Sequence, residues 1–240
     1  MANKTRKDIL AQIYEYIPQI NVSSHETLVD NLCDLAAEEI SMRHNFRALA
    51  GETPAEHTIE ADDYYIDETD FSFTNFKELR SLIWLNSTTG EHALLTWKPQ
   101  EKFQRDHSYL DYSGVTSGKP RFYTRIGTRY FFNCPFDEEV TGRAWYQKVH
   151  GDFADDDAVH LFSPDNMGFQ AIIACVLAEI QEALPGMDVS KKAIASLQKK
   201  EYWIGKLIDM DIIKANETIE MGENTDSEGS RNDTNPYGWV

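Results

Sequence analysis

The chain has 240 residues, 41% of them hydrophobic, and its 40 acidic against 23 basic side chains give a formal net charge of −17. A chain of this size can bury a hydrophobic core, while its negative charge argues against tight binding to nucleic acid or acidic membranes. No segment approaches the roughly 18 to 20 apolar residues that cross a bilayer, and the charged N-terminal sequence is unlike a signal peptide. We therefore expect a globular protein that stays in the cytoplasm where it is made.

The N-terminal region is predicted to form a helical hairpin. The first helix is expected over residues 5–17, because Thr5 and Asp8 have the spacing of an N-cap arrangement and Pro18 stops the apolar repeat. The second is expected over residues 24–46. Its apolar stripe has helical spacing and consists of Leu28, Leu32, Leu35, Met42 and Phe46. The acidic residues of this helix, Asp34, Glu38 and Glu39, are expected to form a solvated or subunit-facing surface.

The middle of the chain is predicted to contain an antiparallel sheet. Residues 48–70 show no sustained period and are expected to form an extended connection, with the β insertion over residues 71–150. Within it we expect a short helical turn at 74–80, paired strands at 82–85 and 93–97, and a three-stranded meander at 121–126, 130–133 and 144–149.

Two further helices are predicted in the C-terminal part. The first covers residues 164–184, with Ser163 as N-cap and Pro164 at the first helical position, and the second covers residues 189–214. Together these elements predict an α+β fold, in which a four-helix bundle-like core carries the inserted antiparallel sheet. Residues 1–214 are expected to form one domain.

Residues 215–240 are predicted to form an acidic, extended tail. They contain six acidic residues and one basic residue, with few large apolar side chains before Tyr237. Such a segment cannot bury enough surface to order itself. Tyr237 and Trp239 are two residues apart and would project to the same side of an extended chain. We therefore predict that they bind a partner and anchor the tail.

The sequence contains no recognisable local motif for catalysis or cofactor binding. The segment 114–120 lacks both the spacing and the hydroxyl residue of a phosphate-binding loop, and the seven histidines form no H-E-x-x-H pair. Cys33, Cys134 and Cys175 are widely separated and are interpreted as buried or unreactive thiols. We therefore predict no catalytic, cofactor-binding or metal-binding residue, and a protein that is not an enzyme.

Two other functions stay open at this point. The first is a small metal-dependent hydrolase, in which Asp137, Glu138, Asp155 and Asp157 would gather a metal. The second is a monomeric binding module that grips a ligand with the sheet and the region of Tyr64 and Tyr65.

The central motifs resemble those of the head-to-tail adaptor proteins of tailed bacteriophages, also called connector or head-completion proteins. The resemblance extends over roughly residues 27–207. It rests on Gly118-Lys119-Pro120, Tyr123, Gly127, Phe131-Phe132-Asn133-Cys134-Pro135, Asp137, Trp145-Tyr146 and a helix that follows Ser163. This sequence departs from the family pattern at the corner Pro135-Phe136-Asp137, which lacks a second proline, and in its long acidic tail.

The resemblance implies a structural role and no catalytic residue. Such a subunit joins a homo-oligomeric ring, usually a dodecamer, beneath the portal protein, where the ring extends the DNA exit channel and offers an attachment site to tail or nozzle proteins. Double-stranded DNA would pass through without sequence-specific binding, and no membrane would be involved. The expected location is the head-tail neck of a virion assembled in the cytoplasm of the host bacterium.

Overall fold

A computed structural model of the chain describes residues 4–20, 22–107, 114–184 and 191–225. Over these residues the helices are α1 Arg6–Tyr16, α2 Val22–Arg43, α3 Gln100–Asp106, α4 Asp165–Ala183, α5 Lys191–Leu197 and α6 Lys200–Thr225. The strands are β1 Ala55–Ile59, β2 Tyr65–Asp67, β3 Phe76–Leu85, β4 His92–Trp97, β5 Phe122–Ile126, β6 Arg129–Phe132 and β7 Val140–Lys148. Short 3-10 helices occupy Arg47–Leu49 and Glu68–Asp70.

The chain divides into two compact units. The helical unit comprises residues 1–33, 46–48 and 154–240, and the sheet unit comprises residues 34–45 and 49–153. The boundary between residues 33 and 34 falls inside α2, so this one helix contributes to both units.

Helix α4 forms the centre of the helical unit and packs against α1, α5 and α6. It is apolar on nearly all sides, as expected of a helix surrounded by other elements. Its buried residues are Gly168, Phe169, Ala171, Ile172, Ile173, Ala174, Cys175, Val176, Leu177 and Ile180. Each large aliphatic side chain among them contributes about 1.5 to 3 kcal/mol through burial. The apolar repeat that predicted this helix is therefore the repeat of a buried core element.

Helix α1 begins at the capping arrangement expected from the sequence. The Thr5 hydroxyl oxygen accepts a hydrogen bond from the Asp8 backbone N–H at 3.4 Å, and the Asp8 carboxylate accepts one from the Thr5 backbone N–H at 3.1 Å. Together these bonds form a capping box, which satisfies donors that a helix start leaves unpaired. Arg6 then binds Asp30 of α2 at 2.7 Å, an ion pair that joins the first two helices.

The seven strands form one mixed sheet in the order β1-β7-β3-β4-β5-β6-β2. The pair β4–β5 is parallel and the other pairs are antiparallel. Strands β1 and β2 lie at opposite ends of this order, yet only residues 60–64 connect them. Their six chain steps can span about 21 Å, whereas a flat sheet would separate the two strands by about 29 Å. The sheet must therefore curl until it is nearly closed.

The concave side of this sheet holds the core of the sheet unit. The core cluster consists of Ile59, Ile66, Phe71, Leu82, Trp84, Leu95, Tyr123, Tyr130, Phe132, Phe136, Val140 and Ala144. Every one of the seven strands contributes to it, because alternate residues of a strand face the same side. Helix α3 packs against β5 and buries Phe103 completely.

The C-terminal end of α2 is capped from the sheet unit. The Lys77 ammonium group donates hydrogen bonds to the backbone oxygens of Ser41 at 2.7 Å and His44 at 3.0 Å. These carbonyl groups lie at the end of a helix, where the backbone leaves acceptors unpaired and a cation is favourable. Burial lowers the pKa of Lys77.

The predicted four-helix bundle-like core with an inserted antiparallel sheet is wrong. The described residues contain six helices and a nearly closed mixed sheet of seven strands instead. Two of the missed strands, β1 and β2, lie in the segment expected to be an extended connection. Each is short, and each buries one isoleucine, Ile59 or Ile66, so neither produces a long alternating pattern.

The connectivity of the sheet also differs from the predicted meander. Hairpins β3–β4 and β5–β6 occur where the turn signals indicated them, but β7 pairs with β1 and β3 rather than with β6. The expected helical turn at 74–80 is instead the start of β3, which begins at Phe76. Helix α3 was not predicted, because its seven residues are too few to show a clear period.

The C-terminal helices differ from the prediction at their ends. Pro164 is the N-cap of α4, one residue later than predicted, and Asp165 occupies the first turn. The helix expected over residues 189–214 is divided into α5 and α6. Because α6 continues to Thr225, residues 215–225 of the predicted extended tail are helical, while residues 226–240 lie outside the described residues.

Candidate functional site

The motif that carries the family resemblance builds a corner of the sheet unit, in which residues 117–120 meet residues 133–138. Gly118 donates a backbone hydrogen bond to the Pro135 carbonyl at 2.8 Å, and the Asp137 N–H donates to the Gly118 carbonyl at 3.1 Å. The two segments therefore run side by side and hold each other in place. We call this region the loop corner.

The β1–β2 connection is joined to the same corner. The Asp62 N–H donates to the Phe136 carbonyl at 2.8 Å, and the Phe136 N–H donates to the Asp63 carbonyl at 3.1 Å. The Ser117 hydroxyl also binds the Asp62 carboxylate at 2.7 Å. Three loops distant in sequence are thus locked together by backbone bonds, and this explains the position of the sheet closure.

Asn133 is the polar centre of the loop corner. Its side-chain oxygen accepts hydrogen bonds from the backbone N–H groups of Arg121 and Phe122, both at 2.8 Å. The Asn133 N–H in turn donates to the Phe122 carbonyl at 3.1 Å. An aspartate would accept similar bonds but would introduce a charge into a half-buried position, so an amide fits this place better.

Aromatic side chains fill the inner side of the loop corner. The Phe136 ring lies 5.0 Å from the Phe132 ring and 6.3 Å from Trp84, both in edge-to-face geometry. The Trp84 indole N–H donates to the Pro120 carbonyl at 3.0 Å. Tyr123 is buried beside them, and this burial raises its pKa to about 12. The motif residues therefore stabilise the fold, and this part of the motif offers no reactive group.

The outer side of the loop corner carries exposed charges. The Lys119 ammonium group binds the Glu91 carboxylate and lies 3.8 Å from the Glu138 carboxylate. The hydrogen bond to Glu91 raises the pKa of Lys119. Because these groups are exposed, the pairs contribute little to stability. Their arrangement is compatible both with a solvent-exposed surface and with a surface that contacts another protein.

The four acidic residues considered for a metal site belong to two different units. Asp137 and Glu138 belong to the sheet unit, whereas Asp155 and Asp157 belong to the helical unit. Asp155 accepts a hydrogen bond from the Asp157 backbone N–H at 3.0 Å, which is typical of a turn. Among the residues that the structure describes, no group of three or more His, Cys, Asp or Glu could hold a metal ion. The hydrolase alternative therefore gains no support from the geometry.

Tyr64 and Tyr65 form a half-buried aromatic cluster at edge strand β2. Their rings lie 5.1 Å apart, and Phe131 lies 5.6 Å from Tyr65. The Arg129 guanidinium group stacks 4.5 Å from the Tyr65 ring and binds the Asp67 carboxylate at 3.0 Å. The tyrosines thus pack against residues of their own sheet, and they do not form two free walls of a ligand cleft.

Large apolar side chains remain exposed on β4, which the sequence interpretation missed. Leu94 is 58% exposed and Trp97 is 55% exposed. The signal was present, because consecutive leucines in a strand face opposite sides and only Leu95 can enter the core. The neighbouring Lys98 lies with its ammonium group 3.8 Å from the centre of the Phe122 ring.

Three cysteines and two C-terminal aromatic residues were also singled out from the sequence. Cys33 and Cys175 are buried free thiols, and burial of the half-buried Cys134 raises its pKa. Tyr237 and Trp239, predicted to bind a partner, lie outside the described residues. Among the described residues, no helix is long and apolar enough to span a membrane.

The motif residues thus have a structural role within the subunit, and large apolar side chains such as Leu94 and Trp97 are left at its surface. The model of the SU10 adaptor protein family matches residues 4–211 of the chain. The chain therefore belongs to the SU10 adaptor protein family and is a phage adaptor, a structural component of the virion. This match confirms the resemblance found in the sequence. No curated protein sequence matches the chain.

Proposed function

We propose that the protein forms a ring beneath the phage portal, extends the DNA channel and provides the attachment site for tail proteins, without catalysis. The observation that carries this proposal is the family match, which covers both compact units from residue 4 to residue 211. A phage adaptor connects the head to the tail, so portal and tail or nozzle proteins are its expected partners. A dodecamer would match the symmetry usual for a portal ring.

The surface of the protein supports such an assembly. A closed ring requires two different faces on each subunit, because head-to-tail contacts around an axis are heterologous. Both compact units expose large apolar side chains suited to contacts with a partner. In the sheet unit these are Leu35, Met42, Leu94 and Trp97, and in the helical unit they are Leu161, Ile194, Tyr202, Ile212 and Ile213.

The charge of the chain supports passage of DNA without retention. Proteins that bind DNA tightly neutralise phosphates and release counterions. A net charge of −17 opposes this and favours a wall from which the duplex detaches. We propose that double-stranded DNA passes the ring without sequence-specific contacts.

We further propose that two segments of the chain have different roles. Residues 1–214 would form the adaptor domain, and residues 215–240 would contact a partner through Tyr237 and Trp239. The proposed partner contact is supported by composition, since Tyr237 and Trp239 are large aromatic residues at the end of an acidic segment.

The ring proposal is tested by mixing the purified chain with the portal protein of the same phage. Light scattering and native mass spectrometry should show a shift to one large complex with a fixed number of adaptor subunits. The light scattering of the chain alone serves as the reference, whether the chain is monomeric or associated. If the mixture shows no complex over a wide range of concentration and salt, the adaptor ring is not the function of this protein.

A further inference from the structure

Helix α2 presents a stripe of largely exposed side chains. Leu35 is 55% exposed and Met42 is 56% exposed, and Glu38 lies exposed between them. The spacing of three and four residues places all three side chains on one helical face over about two turns. The neighbouring Glu39 is held by Arg43 at 2.6 Å, which leaves Glu38 as the acidic group at the centre of this stripe. We call it the α2 stripe.

Helix α6 presents a second outward stripe. Tyr202 is 54% exposed and Ile213 is 47% exposed, and Lys206 lies between them with a half-exposed side chain. On the same face, a Cβ atom added to Gly205 would meet nothing within 4 Å. Asp209 lies on this face as well, with a side chain that is 64% exposed and 4.0 Å from the Lys206 ammonium group. This helix therefore leaves a shallow gap beside two opposite charges, flanked by two large apolar side chains. We call it the α6 stripe.

We propose that the α2 stripe of one copy packs against the α6 stripe of the next copy, with Glu38 opposite Lys206. This inference rests on the proposed ring and identifies the surfaces by which its subunits meet. Apolar side chains would pack at both ends of the contact, and the ion pair would lie between them.

Charge and symmetry together favour this arrangement over self-pairing. An isologous contact between two α2 stripes would bring Glu38 near Glu38. A contact between two α6 stripes would let Lys206 face Asp209 of the other copy, but an isologous pair of this kind ends in a dimer. Like charges in an interface are costly, whereas the heterologous pairing joins opposite charges. A heterologous contact is also the kind that closes a ring.

The local geometry favours a close approach of the two helices. Packed helices lie about 8 to 10 Å apart, and the smaller distances require a small residue at the crossing. Gly205 supplies this gap, which a side chain such as Leu35 or Met42 can enter. Lys206 is held only loosely, 4.0 Å from Asp209 and 6.0 Å from the Tyr202 ring, so little is lost when it turns to a new partner.

The proposed contact is small, which favours assembly on the portal over stable association of two free subunits. Two or three helical turns bury much less than the roughly 1,200 to 2,000 Å² of a stable pairwise interface. Contacts of this size gain strength when they are repeated around a closed ring, where each subunit is held on both sides. We therefore expect weak association of the chain alone and cooperative assembly on the portal.

The test uses opposite charge reversals in the full-length chain, Glu38→Lys and Lys206→Glu. Each variant alone should assemble on the portal with an affinity reduced by roughly tenfold or more, because it places like charges in every contact. An equimolar mixture of the two should assemble like the native chain, since alternating subunits restore opposite charges at every contact. Native mass spectrometry of the mixture should show both variants in equal numbers. Glu182→Lys, which makes the same change on α4, serves as the matched control and should assemble normally.

A second variant tests the same contact without a change of charge. Gly205→Phe fills the gap on the α6 stripe and should weaken assembly, while thermal unfolding shows that the subunit is still folded. Failure of the native chain to assemble would reject the ring itself. If the native chain assembles and both single reversals assemble equally well, or if mixing them gives no recovery, the proposed α2–α6 contact is wrong although the ring stands.

Discussion

Gly168 marks the tightest packing in the helical unit. A Cβ atom at this position would lie 2.6 Å from the His160 ring and 2.8 Å from the Phe162 Cβ atom. We expect Gly168→Ala to reduce the free energy of unfolding by about 1 to 3 kcal/mol, because the strain exceeds the helix propensity that alanine adds. Urea unfolding of the unassembled chain measures this. Gly205→Ala is the control and should stabilise by about 0.5 to 1 kcal/mol, because its surroundings are open. Equal stability of Gly168→Ala and the native chain would contradict the packing.

His150 predicts a pH dependence of stability. Its ring is 5% exposed and donates a hydrogen bond from Nδ1 to the Gly151 carbonyl at 2.6 Å. Burial lowers the pKa of His150, although that bond and the carboxylates of Asp34 and Asp152 act in the opposite direction. The unfolded chain therefore binds the proton more readily, and stability falls as the pH drops through about 6.5 towards the lower pKa of the folded state.

The contribution of His150 is measured by a difference between two variants. Urea unfolding midpoints of the native chain and of His150→Gln should be compared at pH 7.5 and pH 5.5. We expect the native chain to lose more stability than the variant over this range, because glutamine does not titrate. Identical losses would mean that the pKa of His150 is the same in both states.

At the level of a single element, the capping box is expected to stabilise the start of helix α1. Thr5→Ala removes the hydroxyl that accepts the Asp8 N–H and should cost about 1 kcal/mol in the free energy of unfolding. Thr5→Ser keeps the hydroxyl and should retain most of the stability. Thermal unfolding of both variants separates the cap from the packing of the threonine methyl group. If alanine is tolerated as well as serine, the hydrogen bond does not stabilise the helix start.

The elements that could be predicted from sequence are those with a long apolar repeat or a strong local signal. Helix α4 has six large apolar residues in register, and α1 has both a capping box and a terminating proline. Strands β1 and β2 have five and three residues, and their burial depends on partners more than sixty residues away. No local pattern reports such a partner, so these strands could not be found by periodicity.

At the level of the whole molecule, deleting residues 235–240 tests the proposed role of Tyr237 and Trp239. The shortened chain should unfold at the same temperature as the native chain, because the proposal assigns the contacts of these residues to a partner protein. Its assembly with portal and tail proteins should be weaker, because two large aromatic anchors are lost. The substitution Asn235→Ala is the control. Particles built with the deletion that retain DNA and attach tails normally would refute the anchor.

The candidate site could be predicted only in part, because its motif residues and its exposed residues have different roles in the whole molecule. The sequence motifs identified the family correctly, but the residues that carry them, such as Asn133 and Phe136, serve the loop corner inside the subunit. The exposed residues Leu35 and Met42 were predicted to belong to an apolar helical stripe, and the structure places them at the surface. A helical period shows that residues share a face, and it does not show whether that face is covered by the same chain or by another copy.

The pairing of β7 with both β1 and β3 has a consequence for the order of folding. Ala55 of β1 pairs with Ala144 of β7, so the partner of an early strand is synthesised about ninety residues later. Contacts of such long sequence separation form slowly, because the intervening chain must first lose its freedom. During translation, helix α1 and the β3–β4 hairpin can form at once, whereas Ile59 and Leu82 stay exposed until β7 has left the ribosome. The nascent subunit therefore passes through a period in which core residues of β1 and β3 are unprotected, and chaperone binding during that period would favour a high yield of adaptor.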